Sequence, residues 1–298
     1  MMTDNYRGNP LGLLRWQQRN VLYFLATATV AWVFIDVLEQ RYLELPVVPL
    51  TIVGSAIGIF ASFRANQAYG RWWEGRKLWG RLINTSRHWS SQVLAYVADP
   101  DLREELVMRH ASYVHVLRCL LRHQDPFADA GCQRTMRPDA EALRNSSNLT
   151  HALLDQQFQR VVALADRGVL TEQRLESLDR TLMDLLNIQG GCERIKGTPL
   201  PRGYGLIAEL LINLFAMMLP FALVHELGAV AIPLNGLVCL SFAMISEAGR
   251  VLEDPFSLFY NGLPLNALSV KIEQNIRERL GHSELPPAVT ESPVGILM

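Results

Sequence analysis

The chain has 298 residues, 49% of them hydrophobic, and a formal charge of −1 at neutral pH. That balance argues against a nucleic-acid binder, which carries a basic excess overall or in one broad patch. The totals alone would suit a soluble protein, but the apolar residues gather near the two ends.

Val21 to Ile35 carries no charge, and Asp36, Val37 and Leu38 extend the run to about 18 residues, enough to span a bilayer. A cleaved signal peptide is the competing reading, with Arg15 and Arg19 as its basic flank and "ATA" at 26–28 as a weak cleavage site. The apolar run continues past that site through "VAWVFI", which favours a retained span. Leu45 to Phe63 is the second uncharged run. No proline interrupts Ser55 to Gly80, so one helix is expected to leave the membrane and continue as a basic surface with Tyr69, Trp72, Trp73 and Trp79. Helical spacing puts Ile52, Ser55, Ala56, Ile59 and Phe63 on one stripe. The small residues Gly54, Gly58, Ala61 and Ser62 occupy the rest, as on helices that pack closely in membranes.

The middle section, roughly 64–204, reads as helical. Residues 101–124, 147–169 and 171–191 have apolar residues at helical period. The first of these starts at an Asp cap, the second stops at Gly168, and the third starts at Thr171 and ends at Gly190 and Gly191. A loop-rich connection is expected between 125 and 148, and strand alternation is absent from the sequence pattern. The third apolar run, Leu210 to Val224, is lengthened by Gly205 to Ala208 across Glu209. The fourth, Leu227 to Ser246, is interrupted by Pro233. The tail after Gly281 is proline-rich and expected to be mobile.

Four spans in two hairpins follow. The parts are a 1–20 segment, a hairpin at 21–63, a helical domain at 64–204, a hairpin at 205–246 and a C-terminal segment at 247–298. Arg7, Arg15, Arg19, the cluster from Arg64 to Arg81, then Arg194, Lys196, Arg202 and Arg250 all fall on one side of these spans. By the positive-inside rule both termini and the middle section face the cytoplasm, in a multi-pass protein of the cell inner membrane.

The candidate chemistry is sparse. Cys119, Cys132, Cys192 and Cys239 form no CxxC pair and read as buried free thiols. His115, Cys119 and His123 recur every fourth residue, but two turns are too long for three ligands of one ion and a fourth ligand is not evident, so no metal site and no cofactor are expected. Glu209 and Asp36 are candidate intramembrane carboxylates. Each has a plainer reading: Glu209 at the cytoplasmic boundary beside an arginine, Asp36 at the outer interface. Glu74, Arg76 and Lys77 read as a salt-bridged surface. The sequence has no GxSxG, P-loop, HExxH or GxGxxG, so an enzyme is not expected.

Two blocks carry a family resemblance. "FRANQAYGRWWEGRKLWG" at 63–80 and "EDPFSLFYNGLPLNALSVKIEQNI" at 253–276 resemble the bestrophin family in its bacterial branch, over roughly residues 8 to 280. The resemblance implies an all-α membrane protein assembled as a homopentamer in lipid, passing monovalent ions through a hydrophobic neck on its axis. By position the neck falls on Ser55, Ile59 and Phe63. Ser55 departs from the bulky apolar residue usual there. A second constriction at the cytosolic exit maps to Leu175, with Leu178 one turn on. Eukaryotic members bind calcium through acidic residues after the Asp-Pro-Phe step. Here "SLFYNGLPLN" has none, so no such clasp is expected, and Glu253 and Asp254 are expected to cap or to pair with an arginine. Charge selectivity stays open, since eukaryotic relatives pass anions and bacterial ones can pass cations. A secondary transporter using Glu209 or Asp36, and a non-conducting scaffold, are the alternatives.

Overall fold

The computed structural model describes residues 12, 15–136, 142–293 and 295–297. Arg7 and most of the 1–20 segment lie outside the described residues, as does part of the 125–148 connection. Among the described residues the fold is helical, with no strand. Among the described residues, three stretches are long and apolar enough to cross a membrane: Gln18–Val37, Arg41–Tyr96 and Gly205–Leu252. The chain divides into two compact units, one of residues 7–72 and 199–253, the other chiefly of residues 73–198 and 254–298.

The first unit contains α1 (Gln18–Trp32), the start of α2 (Val47–Tyr96), α7 (Arg202–Leu227) and α8 (Ala231–Leu252). A π-turn over Val33–Val37 finishes α1. The third long stretch holds both α7 and α8, separated by a 3-10 turn at Gly228–Val230 where Gly228 has φ of 53°. Pro233 sits in the first turn of α8, where its missing N–H costs nothing. Phe24, Leu50, Ile57, Ile212, Phe215 and Ala216 form the apolar core of this unit. Close approach does the rest. A Cβ on Gly54 would meet the Phe215 ring at 3.0 Å, and one on Gly249 would meet the Ala65 backbone at 3.3 Å.

The second unit contains the remainder of α2 with α3 (Pro100–Leu121), α4 (Ala130–Thr135), α5 (Leu149–Asp166), α6 (Glu172–Gly197) and α9 (Leu265–Leu280). α3 packs against α4, α5, α6 and α9, and is buried along nearly its whole length. Trp79, one of the α2 tryptophans, is fully buried here, while Trp73 stays exposed.

Four local expectations need correction. The cap of α3 is Asp99, whose carboxylate accepts from the N–H groups of Asp101 and Leu102, because Pro100 is suited to the first helical position. Part of the expected loop is the helix α4, capped by Asp129. Gly190 and Gly191 do not end α6, which runs on to Gly197. Gly191 is small because Leu78 of α2 lies against it, 2.9 Å from where a Cβ would stand. The tail is not free at its start, since Pro286 is buried and its carbonyl accepts from Gln274.

Candidate functional site

Along the membrane part of α2 the two faces differ sharply. Leu50, Gly54, Ile57, Ala61, Arg64 and Ala68 are buried at helical spacing. The opposite face carries Ile52, Ser55, Ile59 and Phe63, with Ile59 59% and Phe63 64% exposed. Sixty per cent exposure of a large side chain on a long apolar helix leaves it to face lipid, another copy or a dewetted path. Ser55 spends its proton on its own helix, donating to the Thr51 carbonyl at 2.9 Å. Its hydroxyl therefore adds little polarity to the stripe. Beside the stripe lies a hollow of about 830 Å³, walled by Ser55, Ile59 and Phe63 and by Phe215, Leu219 and Phe242.

The two candidate carboxylates sit at opposite ends of this unit. Glu209 is exposed at a second hollow of about 630 Å³, shared with Arg19, Arg64, Glu247 and Arg250. Arg64 is buried and donates to the Ser246 hydroxyl at 3.1 Å, which fixes a cation at that end. Asp36 is exposed in the π-turn, beside Gly228. Near it the two short turns meet, with Glu44 and His225 paired at 3.3 Å and the Leu45 N–H donating to the Phe221 carbonyl.

In the other unit Leu178 is fully buried, whereas Leu175, in the first turn of α6, is half-buried. Glu74 pairs with Arg194. Asp254 caps the Phe256 N–H, but its ion-pair partner is Lys196, not an arginine. Back in the first unit, the Glu253 carbonyl accepts from Arg71. The Phe256 and Leu263 carbonyls, in the segment expected to lack a calcium clasp, both accept from Arg122. Burial pushes that guanidinium down to about 10, so it remains a fixed internal cation at neutral pH.

The trio His115, Cys119 and His123 is not brought together. α3 stops at Leu121, and His123 has φ of 55° outside the helix. His115 instead faces Glu273 of α9, Nε2 to Oε2 2.9 Å. Cys119 lies 4.0 Å, sulfur to sulfur, from Cys132 of α4. Arg118 pairs with Asp129 at 2.5 Å and donates to the Cys119 sulfur at 3.3 Å. The hydrogen bond from Cys132, aided by Arg118, holds the Cys119 thiol below its usual range, and Cys132 is pushed up in turn. Burial lowers His115 below the ordinary histidine value. Sequence reading missed Asp129 and Cys132 as partners because it placed them in a loop. All four cysteines are free and buried.

The family model described as "Bacterial/Fungal Bestrophin protein" matches residues 14–278. A voltage-dependent anion channel-forming protein of Mesorhizobium japonicum is 32% identical over 241 residues, 81% of this chain and 77% of that protein. One of Ralstonia nicotianae is 33% identical over 246 residues, 81% of this chain and 80% of that protein. The crystal structure of a bacterial bestrophin homologue from Klebsiella pneumoniae matches with a TM-score of 0.84 at 30% identity, over 89% of this chain and 98% of that one.

Proposed function

This chain belongs to the bacterial and fungal bestrophin family, and from that membership we propose that it forms a passive ion channel whose neck is lined by Ser55, Ile59 and Phe63 of α2. The observation that carries the reading is the exposed apolar stripe itself. An apolar ring stops ions by shedding water and passes them when wetted, with no charged gate. The hollow beside the stripe, walled by α7 and α8 side chains, offers a seat for the neighbouring copy's helix. Ring closure by five copies takes its number from the family.

In this reading α1, the first part of α2, α7 and α8 make four crossings of the inner membrane. The end bearing Arg19, Arg64 and Arg250 faces the cytoplasm, and the end with Glu44, Asp36 and His225 faces out. Glu209 then belongs to the cytoplasmic boundary and its arginines, which supports a positioning role over proton relay. Leu175 is the better of the two candidates for a lower constriction, because Leu178 is consumed by its own core. The neck carries no charge and so sets no sign of selectivity. Chloride is the first ion to test, since the relatives are named as anion channels.

The test is the purified protein in a planar bilayer under a KCl gradient. Discrete currents are expected, and the reversal potential reads the preferred sign. Transport that saturates with substrate and follows a proton gradient would replace the channel with a transporter.

A further inference from the structure

The second unit holds a cluster that the channel reading does not use. One sulfur from each of Cys119 and Cys132 and one carboxylate oxygen of Asp129 lie within 4.8 Å of one another. The two sulfurs are 4.0 Å apart, close to the edge of a tetrahedron drawn around an ion about 2.3 Å from each. Both cysteines are fully buried. The Asp129 carboxylate is held still, since one oxygen accepts from the N–H groups of Gly131 and Cys132 and from Arg118.

An independent observation points to the same place. His115 is one turn before Cys119 on α3 and therefore shares its face. Its side chain is 1% exposed, and its Nδ1 has no hydrogen-bond partner. That atom is directed at the first turn of α4: a Cβ on Gly131 would stand 2.6 Å from Nδ1 and 3.0 Å from an Asp129 oxygen, which puts the imidazole beside the group of Cys119, Asp129 and Cys132 but outside its 4.8 Å span. The other ring nitrogen, Nε2, bonds the buried Glu273 carboxylate. Ionised, that carboxylate only accepts, so Nε2 carries the proton and Nδ1 presents its lone pair. A carboxylate that orients a histidine from behind is the arrangement found behind metal-bound imidazoles.

We propose that Cys119, Asp129 and Cys132 form a site for one thiophilic divalent ion of the Zn(II) class, with the neighbouring His115 turning Nδ1 in as the fourth ligand, and that the ion fastens α4 to α3. Thiolate sulfur with imidazole and one carboxylate suits such an ion better than calcium or magnesium. Two thiol protons leave as the ion binds. The two thiolates and Asp129 then carry three negative charges, which the ion and Arg118 balance. This inference stands apart from the channel reading, because none of its residues belongs to the neck.

The experiment is X-ray absorption on the reduced full-length protein loaded with one equivalent of Zn(II). Two sulfur neighbours at about 2.3 Å and two nitrogen or oxygen neighbours at about 2.0–2.1 Å are expected. Co(II) in place of Zn(II) should give thiolate charge-transfer absorption and the intense visible bands of a tetrahedral ion. Cys132→Ser should cut the charge-transfer absorption by about half or more, while Cys192→Ser keeps it in full. His115→Gln should keep it but weaken affinity by more than the roughly 10–100-fold that losing an outer-shell partner costs. A shell of nitrogen and oxygen alone, an adventitious ion only, overturns the proposal. So does a Cys119–Cys132 disulfide in the metal-loaded protein, found by peptide mass spectrometry without reductant.

Discussion

Both units are bundles of helices, and each is held together by different means. In the first, helices meet through Phe24, Phe215 and Ala216 and through glycines that let backbones close up. Its polar ties include Asn235 donating to the Phe24 and Ala216 carbonyls and Thr27 reaching the same Ala216 carbonyl. In the second, charges are buried in the core. Glu105 holds Arg109 at 3.0 Å and Arg160 at 2.8 Å. Glu273, fully buried, holds His115, Arg134 and Arg277. The contrast teaches what the surroundings reward. In lipid, burying a methyl group gains little over leaving it outside, so shape decides helix pairing. In water, apolar burial drives folding and a buried ionic cluster fixes which helix lies where, strongly destabilising if one member is removed.

That contrast predicts where the molecule breaks. Glu273→Ala leaves the buried His115 N–H without its acceptor and takes the carboxylate from Arg134 and Arg277, and should cost about 3–5 kcal/mol in denaturant unfolding of the purified protein. The wild-type contribution also depends on pH. Burial alone would raise the Glu273 carboxyl, but hydrogen bonds from His115 and Arg134 hold it at about 2. Its stabilisation is therefore complete above pH 4.5, the ordinary value, and is lost as pH falls toward about 2. A wild-type acid profile identical to that of Glu273→Ala would break the contrast.

Gly249→Val should come next, at about 1–3 kcal/mol, because the added methyls meet the Ala65 backbone rather than a movable side chain. Retention of wild-type thermal stability would show that shape does not set the α2–α8 approach. His110→Phe should move the other way. His110 is buried against Trp89 and Tyr113, and neither ring nitrogen has a hydrogen-bond partner. Removing those nitrogens should stabilise by about 1–3 kcal/mol. Burial lowers His110 from 6.5 to about 3, so wild-type stability falls as pH drops from 6.5 toward about 3. The phenylalanine variant should lose that part of the slope, which paired thermal melts across the range will read. The smallest effect is expected at Asn235→Leu, about 0.6 kcal/mol, typical of hydrogen bonds between membrane helices. A loss as large as that of Glu273→Ala would erase the difference between the units.

What the sequence revealed follows the same division. The continuity of α2 was readable because nothing between Ser55 and Gly80 stops a helix. The stripe was readable because Ile52, Ile59 and Phe63 recur at helical spacing while Gly54, Gly58 and Ala61 lie off it. Errors came where a tertiary contact overruled a local signal. Gly190 and Gly191 look like a terminator until Leu78 is seen to need the space. Six residues are too few to show a helical period, so α4 looked like loop, and with it went Asp129 and Cys132. His123 fits the spacing of His115 and Cys119, yet the helix ends two residues before it. The number of copies around an axis leaves no trace in periodicity at all.

The most direct test of the neck is single-channel conductance of wild type, Ile59→Ala and Phe63→Ala in planar bilayers, with the oligomer verified for each. Larger conductance or altered selectivity is expected in both variants, because each widens and wets the ring. Background flux in all three would contradict it and leave the exposed stripe of α2 as a docking face without an ion path.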